Sequence, residues 1–323
     1  MEDMERLEGK SVLVTGGTGL VGGHLVEALL QRKCRVVIPY RSVDPRSYFS
    51  TQKLAERSIM AIGDLKDAER MFDIVTKYEI EYIFHLGAQP IVPTAYNNPL
   101  ETIATNVMGT VHVLESARRY PGVKGVIVAS SDKAYGKSDK PYQENDPLRG
   151  DHPYEVSKSS ADLIAYSYFK TYGLSIVITR FGNIYGPGDL NISRIVPGIM
   201  KTILTEETLE LRSDGTYVRD YIYVNDVVTA YIFLMDNINK ASGNIYNISS
   251  NYSYSVFEMI KQVERILHKK VPYRVAHNAI NEIPYQHLDC AKITALGWRP
   301  QGDLDDSIHK TYDWYKAYKI FPF

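Results

Sequence analysis

The chain has 323 residues, with 37 Lys plus Arg against 38 Asp plus Glu, enough length to bury a sizeable core in one large domain or two lobes. The even charge balance argues against a nucleic-acid or acidic-membrane partner, and no apolar run reaches the ~18 residues of a membrane span. Two cysteines, Cys34 and Cys290, in no metal-ligand spacing argue against a disulfide framework and a metal site; with the charged start MEDMERLEGK they point to a reduced, cytoplasmic protein.

Through residue 181, short β-branched runs alternate with helical stretches. SVLVTG (11–16) reads as a buried strand, VGGHLVEALLQRK (21–33) as a helix and CRVVIPY (34–40) as the next strand. SIMAIGD (58–64) is a third strand, followed by a helix over 66–78 and a fourth strand, YIFHLGA (82–88). A long helix over 100–120, a strand GVIVAS (125–130), a helix over 153–173 and a strand SIVITRF (175–181) complete the run. Such alternation implies an α/β fold, a doubly wound parallel sheet with ligands at the strands' carboxyl ends.

Beyond Phe181 the pattern breaks into Gly/Pro-containing loops, with helices near 196–204, 257–270 and 304–318. RDYIYVNDVVTAYIFLMDNI (219–238) reads as strand then helix and is expected to rejoin the main sheet. A smaller, discontinuous substrate domain follows: about 182–214 plus 246–323, against a dinucleotide-binding part of 1–181 plus about 215–245. The bias of 25 tyrosines over 9 phenylalanines suits a polar ligand cleft.

TGGTGLVG (15–22) sits between the first strand and first helix, as a dinucleotide fingerprint requires. Gly16 suits a tight turn, Gly19 a backbone approach to pyrophosphate, and Gly22 close packing; Thr18, Leu20 and Val21 complete the loop. The helix start supplies free N–H groups for an anion. Where a carboxylate would hold a ribose hydroxyl stand Tyr40, Arg41 and Ser42. Arg41 could pair with a 2′-phosphate, so the cofactor is NAD(P), leaning to NADP. Asp64, followed by Leu65, is placed either to meet the adenine amine or to cap the helix over 66–78.

Tyr154 and Lys158 lie four residues apart at a helix start and share a face. A nearby ammonium favours phenolate, which makes Tyr154 a general base for an alcohol oxidised by a nicotinamide. Upstream, SSDKAYG places Ser131, Asp132 and Lys133 directly after an apolar strand.

TGGTGLVG, GDL, HLGAQ (85–89), TNVMGT (105–110), SSDKAYG, YEVSK, TRFGNIYGPG (179–188) and RDYIYVND (219–226) occur in order across nearly the whole chain. This set resembles the extended short-chain dehydrogenases of Rossmann fold that modify nucleotide sugars: 4-epimerases, decarboxylases and 4,6-dehydratases. The resemblance implies a redox triad of Ser131, Tyr154 and Lys158 supported by Asn106, with Leu86, Ala88 and Gln89 along the cofactor. It places Asn183, Arg194 and Arg219 on the sugar nucleotide, Arg219 having Asp220 or Asp226 as alternative partners. It also implies a homodimer through a four-helix bundle, built from the helices at 100–120 and 153–173.

Ser131-Asp132-Lys133 looks like the pattern of CDP-glucose 4,6-dehydratases, as does the segment at 282–298, whereas RDYIYVND looks more like epimerases or dTDP-glucose dehydratases. A 4,6-dehydration needs a base at C5 and an acid for the departing 6-OH, here Lys133 and Asp132. The two could instead pair with each other in a surface turn. The competing functions are a 4-epimerase, which needs no base at C5, and a cofactor-binding, redox-sensing regulator.

Overall fold

In the computed structural model, residues 7–250, 252–276 and 283–321 are described. The first six residues, Glu282 at the head of the 282–298 segment, and the other expectations that fall outside those ranges stay with the sequence reading.

Strand β1 (Ser11–Thr15) is buried along its whole length and lies between β2 (Arg35–Tyr40) and β4 (Tyr82–His85), with β3 (Ile59–Ile62) outside β2. On the other side follow β5 (Gly125–Ala129), β6 (Ile176–Phe181) and finally β10 (Ile245–Ile248). All six pairings are parallel. A parallel sheet must be covered on both faces, and the strands' alternation divides it into two cores. Val12, Val14, Ile38, Phe84 and Ile127 face α1 (Leu20–Gln31) and a later helix, Val224–Asp236. Leu13, Val37, Ile83, Val126 and Ile178 face α2 (Ala68–Lys77), α3 (Gly109–Arg119) and α4 (Pro153–Tyr172).

Local signals explain these boundaries. Asp67 accepts from the backbone N–H of Arg70 and so caps α2. His152 accepts from Tyr154 N–H ahead of Pro153, and Gly173 ends α4 in the left-handed region. The long helix expected over 100–120 is interrupted: Pro99–Ile103 is α-helical, Ala104–Met108 is a π turn, and α3 begins only at Gly109. Apolar spacing does not distinguish that one-residue expansion from a continuous helix.

The strand in RDYIYVND does not rejoin the main sheet. Strand β9 (Val218–Tyr223) instead centres a small sheet with β7 (Asn183–Tyr185), β11 (Ser253–Ser255) and β13 (Tyr285–Gln286). Its following helix packs against α1 and β5, and the seventh main-sheet strand is β10. Tyr185, Tyr221, Ile199, Met259, Ile308 and Trp314 form a second core around the small sheet and the helices at 195–205, 256–267 and 304–317.

Candidate active site

Because β1 pairs with both β2 and β4, the strand order reverses at its carboxyl end, where two crossovers diverge and leave a crevice. A cavity of ≈1140 Å³ opens there, above the roughly 300–1,000 Å³ of one ligand pocket. Thr18, Gly19, Leu20, Val21, Arg41, Asp64, Leu65, Leu86 and Ala88 line one part of it. Gly16 has φ +70°, and a Cβ there would lie 2.9 Å from the Gly87 backbone. A Cβ at Gly22 would come within 2.0 Å of the Gly16 carbonyl oxygen, so Gly22 closes the loop on itself rather than against the strand. Gly19 has only that same oxygen near it, at 3.3 Å, which leaves its backbone open to a ligand.

Arg41 Nη1 is 3.4 Å from Asp64 and 3.5 Å from Glu101. Asp64 accepts from Lys66 N–H, and the cap of α2 is Asp67, which removes the capping alternative for Asp64. Gln89 and Asn106 stand behind the cavity wall: Asn106 Oδ1 accepts from Gln89 N–H at 2.7 Å, and its Nδ2 donates to Ser157 Oγ at 2.9 Å.

The end of β5 delivers Ser131, Asp132 and Lys133 into one turn of 3₁₀ helix, and the start of α4 brings Tyr154 and Lys158 opposite. All five line the cavity. Ser131 Oγ donates to Asp132 Oδ1 at 3.0 Å and accepts from Lys133 N–H at 3.2 Å. Lys133 Nζ lies 3.4 Å from the same Oδ1 and 3.5 Å from Asn183 Oδ1. Asp132 and Lys133 do pair, yet Asp132 is 2% exposed, so the pair is no surface turn.

Lys158 Nζ donates to the Ala129 carbonyl at 2.9 Å, and burial lowers its pKa to about 8. Tyr154 departs from expectation. Burial pushes its phenol up to about 12, against the smaller opposing pull of the Arg194 charge and of a hydrogen bond with Ser131. Desolvation outweighs the neighbouring cation in the protein alone.

Arg194 pairs with Asp189 at 3.2 Å, and Arg219 lies over the Tyr217 ring with Nη1 donating to Val218 O. Asp220 is hydrogen-bonded to Leu288 N–H, His287 and Ser253, and Asp226 to Gln301 and Gly302 N–H. Asn183, Arg194 and Arg219 line the cavity's other part.

The sequence reading named Asn183 but missed the other residues that follow. Ser130 Oγ, His152 Nε2, Asn183 Nδ2, Tyr221 OH and Gln286 Nε2 are buried without a hydrogen-bond partner among the described residues, and all five residues line the cavity. Buried polar atoms are normally paired, so this set and the glycine cradle fit a polar ligand and a dinucleotide. Glu155 also lines the cavity, and burial raises its pKa to about 7. Only the His152-Pro153 cap signal was present locally.

A doubly wound sheet, a glycine loop at its switch point and an acid–base cluster across the same cavity define a dinucleotide-binding α/β protein built for chemistry on a second ligand. The family model described as "NAD dependent epimerase/dehydratase family" matches residues 12–249, and the chain belongs to that family. It is 30% identical to the CDP-glucose 4,6-dehydratase of Salmonella typhimurium, over 98% of this chain and 94% of that protein. Among solved structures, DesIV, a dTDP-glucose 4,6-dehydratase of Streptomyces venezuelae with NAD bound, has a TM-score of 0.86 and 28% identity, covering 95% of this chain and 97% of that one. The UDP-glucose 4-epimerase of Thermotoga maritima has the same score and identity, covering 95% and 99%.

Proposed function

We propose that the chain is an NAD-dependent nucleotide-sugar 4,6-dehydratase, converting an NDP-hexose to an NDP-4-keto-6-deoxyhexose. The observation that carries this reading is the pairing of buried Asp132 with half-buried Lys133 beside Ser131 and Tyr154. Oxidation and inversion at C4 need only the hydroxyl, phenol and ammonium; a second acid–base pair serves the removal of water. The likeness to two named 4,6-dehydratases supports it.

The dinucleotide would be held by Gly16, Thr18, Gly19, Leu20, Val21, Gly22, Asp64, Leu65, Leu86 and Ala88, with Gln89 and Asn106 stiffening the wall. Bound there, the dinucleotide would supply a hydride acceptor for C4 oxidation and a hydride donor for C6 reduction. Tyr154 takes the 4-OH proton, assisted by Ser131 and Lys158. The 4-ketone acidifies C5–H, Lys133 removes that proton, and Asp132 protonates the departing 6-OH. Asn183, Arg194 and Arg219 hold the sugar and diphosphate. The cofactor is NAD, against the lean to NADP: Arg41 shares its charge with Asp64 and Glu101, and the DesIV structure has NAD bound.

The dinucleotide-binding part is residues 1–181 plus about 224–248 and the sugar-nucleotide part about 182–223 plus 249–323. This is a shift from the expected 215–245, because β9 lies in the small sheet and β10 in the main one. The enzyme works in the cytoplasm. Among the described residues no helix is long and apolar enough to cross a membrane. Met108, Leu163 and Tyr166 are exposed on the helices at 100–120 and 153–173, the faces that would pack as a four-helix bundle in a homodimer.

The test is incubation with CDP-, UDP-, GDP- and dTDP-hexoses followed by mass analysis. Loss of one water, with a ketone chromophore that develops in alkali, supports the reading. Sugar inversion without mass change establishes the 4-epimerase instead, and no conversion of any sugar leaves the cofactor-binding regulator.

A further inference from the structure

Behind the cavity wall a run of buried polar groups connects the glycine loop to α4, and every hydrogen bond in it points the same way. Gly87, whose backbone lies against Gly16, donates its N–H to Thr15 Oγ1 at 2.9 Å. Thr15 Oγ1 is 2.8 Å from His85 Nδ1, and His85 Nε2 is 3.0 Å from Thr110 Oγ1. Thr110 Oγ1 donates to the Asn106 carbonyl in the π turn at 2.6 Å. Asn106 Nδ2 donates to Ser157 Oγ at 2.9 Å, and Ser157 Oγ donates to the Tyr154 carbonyl at 2.7 Å. A hydroxyl carries one proton, and that of Thr110 is committed to Asn106, so the ring donates from Nε2. Burial keeps the imidazole neutral, its pKa lowered to about 3, and the Lys158 charge acts in the same sense. A neutral ring that donates from Nε2 accepts at Nδ1, which takes the Thr15 proton.

Resting on the role proposed for Tyr154, we infer that His85, held as the Nε2–H tautomer, is a positioning residue that fixes where Tyr154 stands relative to the glycine loop. His85, Thr15 and Thr110 lie outside the cavity lining, so they act only through the groups they hold. Thr15, His85, Thr110, Asn106 and Ser157 are all buried, which leaves no water to substitute for a missing link. Apolar packing of α4 on the sheet is non-directional, whereas each hydrogen bond constrains a distance and an angle. A fully satisfied buried network therefore specifies one arrangement of loop and helix. Histidine suits the middle of the chain because its ring presents an acceptor on one side and a donor on the other. A shorter amide or a hydrocarbon ring meets one threonine or neither. No proton moves along the chain in this role.

The first measurement needs no variant activity: nitrogen-15 spectra of the imidazoles in the ligand-free protein, with the His85 signals assigned by their absence in His85→Asn. His85 should show a protonated Nε2 and a bare Nδ1, unchanged from about pH 5.5 to 9. A proton on Nδ1, or a ring that titrates in that range, overturns the inference. The second compares Thr110→Val, which keeps the shape without the hydroxyl, with Thr110→Ser, which keeps the hydroxyl. In single turnovers with the hexose nucleotide that wild type converts, Thr110→Val should slow cofactor reduction about ten- to a hundredfold, as a small misplacement does. Its NAD affinity by calorimetry should stay within about twofold, because no group lining the cavity has changed. Thr110→Ser should regain the wild-type rate. His85→Asn, which still reaches Thr15 but not Thr110, should match Thr110→Val, and the double variant should lose nothing further. A Thr110→Val enzyme that reduces cofactor at the wild-type rate, or a Thr110→Ser enzyme as slow as Thr110→Val, overturns the role of the chain while leaving the dehydratase reading intact. If wild type removes no water from any sugar of the panel, it is the function that fails, and the His85 ring spectrum still decides the chain.

Discussion

Asn106 and Gln89 hold each other by two opposed hydrogen bonds: Gln89 N–H donates to Asn106 Oδ1 at 2.7 Å, and Asn106 Nδ2 donates to Gln89 O at 3.1 Å. The same Nδ2 reaches Ser157 Oγ on α4, three residues beyond Tyr154. One amide in the π turn thus joins the end of β4 to the catalytic helix, and π turns recur at functional sites. Asn106→Ala leaves buried backbone groups unpaired and should cost about 2–4 kcal/mol in urea unfolding. A loss below about 0.5 kcal/mol would show that solvent replaces the clamp.

Lys158 makes stability depend on pH. Its pKa is near 8 folded against about 10.4 unfolded. Between those values the unfolded chain holds a proton the folded chain has shed, so this group's contribution to stability rises with pH through that window. Lys158→Met should therefore stabilise the protein at pH 7 while abolishing turnover, with the advantage shrinking by pH 10. Tyr154, near 12 folded, acts in the opposite sense, and only above about pH 10. Urea titrations at pH 7 and 10 check the sign.

Lys133 and Asp132 separate the half-reactions. Lys133→Met should still bind the sugar nucleotide and allow the C4 oxidation, read as absorbance at 340 nm. Product formation should fall roughly 10²–10⁴-fold, with exchange of the C5 hydrogen into deuterated water suppressed. Asp132→Asn should retain that exchange while loss of the 6-OH slows. Tyr154→Phe should abolish the absorbance change itself. Normal turnover by Lys133→Met would return the protein to the epimerase reading.

Arg41 is balanced by Asp64 and Glu101. Wild type should prefer NAD, and Arg41→Ala should change NAD affinity by less than about threefold, because the ion pairs are exposed and weak. Glu101→Gln removes one of the two carboxylates beside the guanidinium and should tighten NADP by about tenfold through a charge-assisted contact. Calorimetric titration with both dinucleotides decides, and a wild-type preference for NADP would restore the reading of Arg41 as a 2′-phosphate ligand.

Arg180 and Asp162 form a two-point ion pair, 2.8 and 3.0 Å, with both side chains almost fully buried. It ties β6 to α4, and the guanidinium lies 4.5 Å from the Tyr135 ring centroid. Asp162→Ala should cost about 3–5 kcal/mol, because it strands a buried cation. The double change Asp162→Leu with Arg180→Met should cost much less. Equal losses in a double-mutant cycle would show that packing, not charge, dominates.

The chain's local spacing alone determined much of this protein. Strand and helix alternation to Phe181, the glycine loop, Tyr154 four residues before Lys158, and the Ser-Asp-Lys cluster are relations between near neighbours in sequence. Each is set by backbone periodicity or by which side chains a turn tolerates, so each is readable without a fold. Tertiary structure decided the rest, because burial and pairing depend on groups far apart in the chain. RDYIYVND reads as the strand that would rejoin the main sheet, and only the partners available at the edge of β6 gave that place to Ile245–Ile248 instead. The charge on Arg41 is partly balanced by Glu101, sixty residues away. The phenol of Tyr154 rises rather than falls because desolvation, a property of everything packed around it, exceeds the opposing pull of the Arg194 charge, forty residues along the chain.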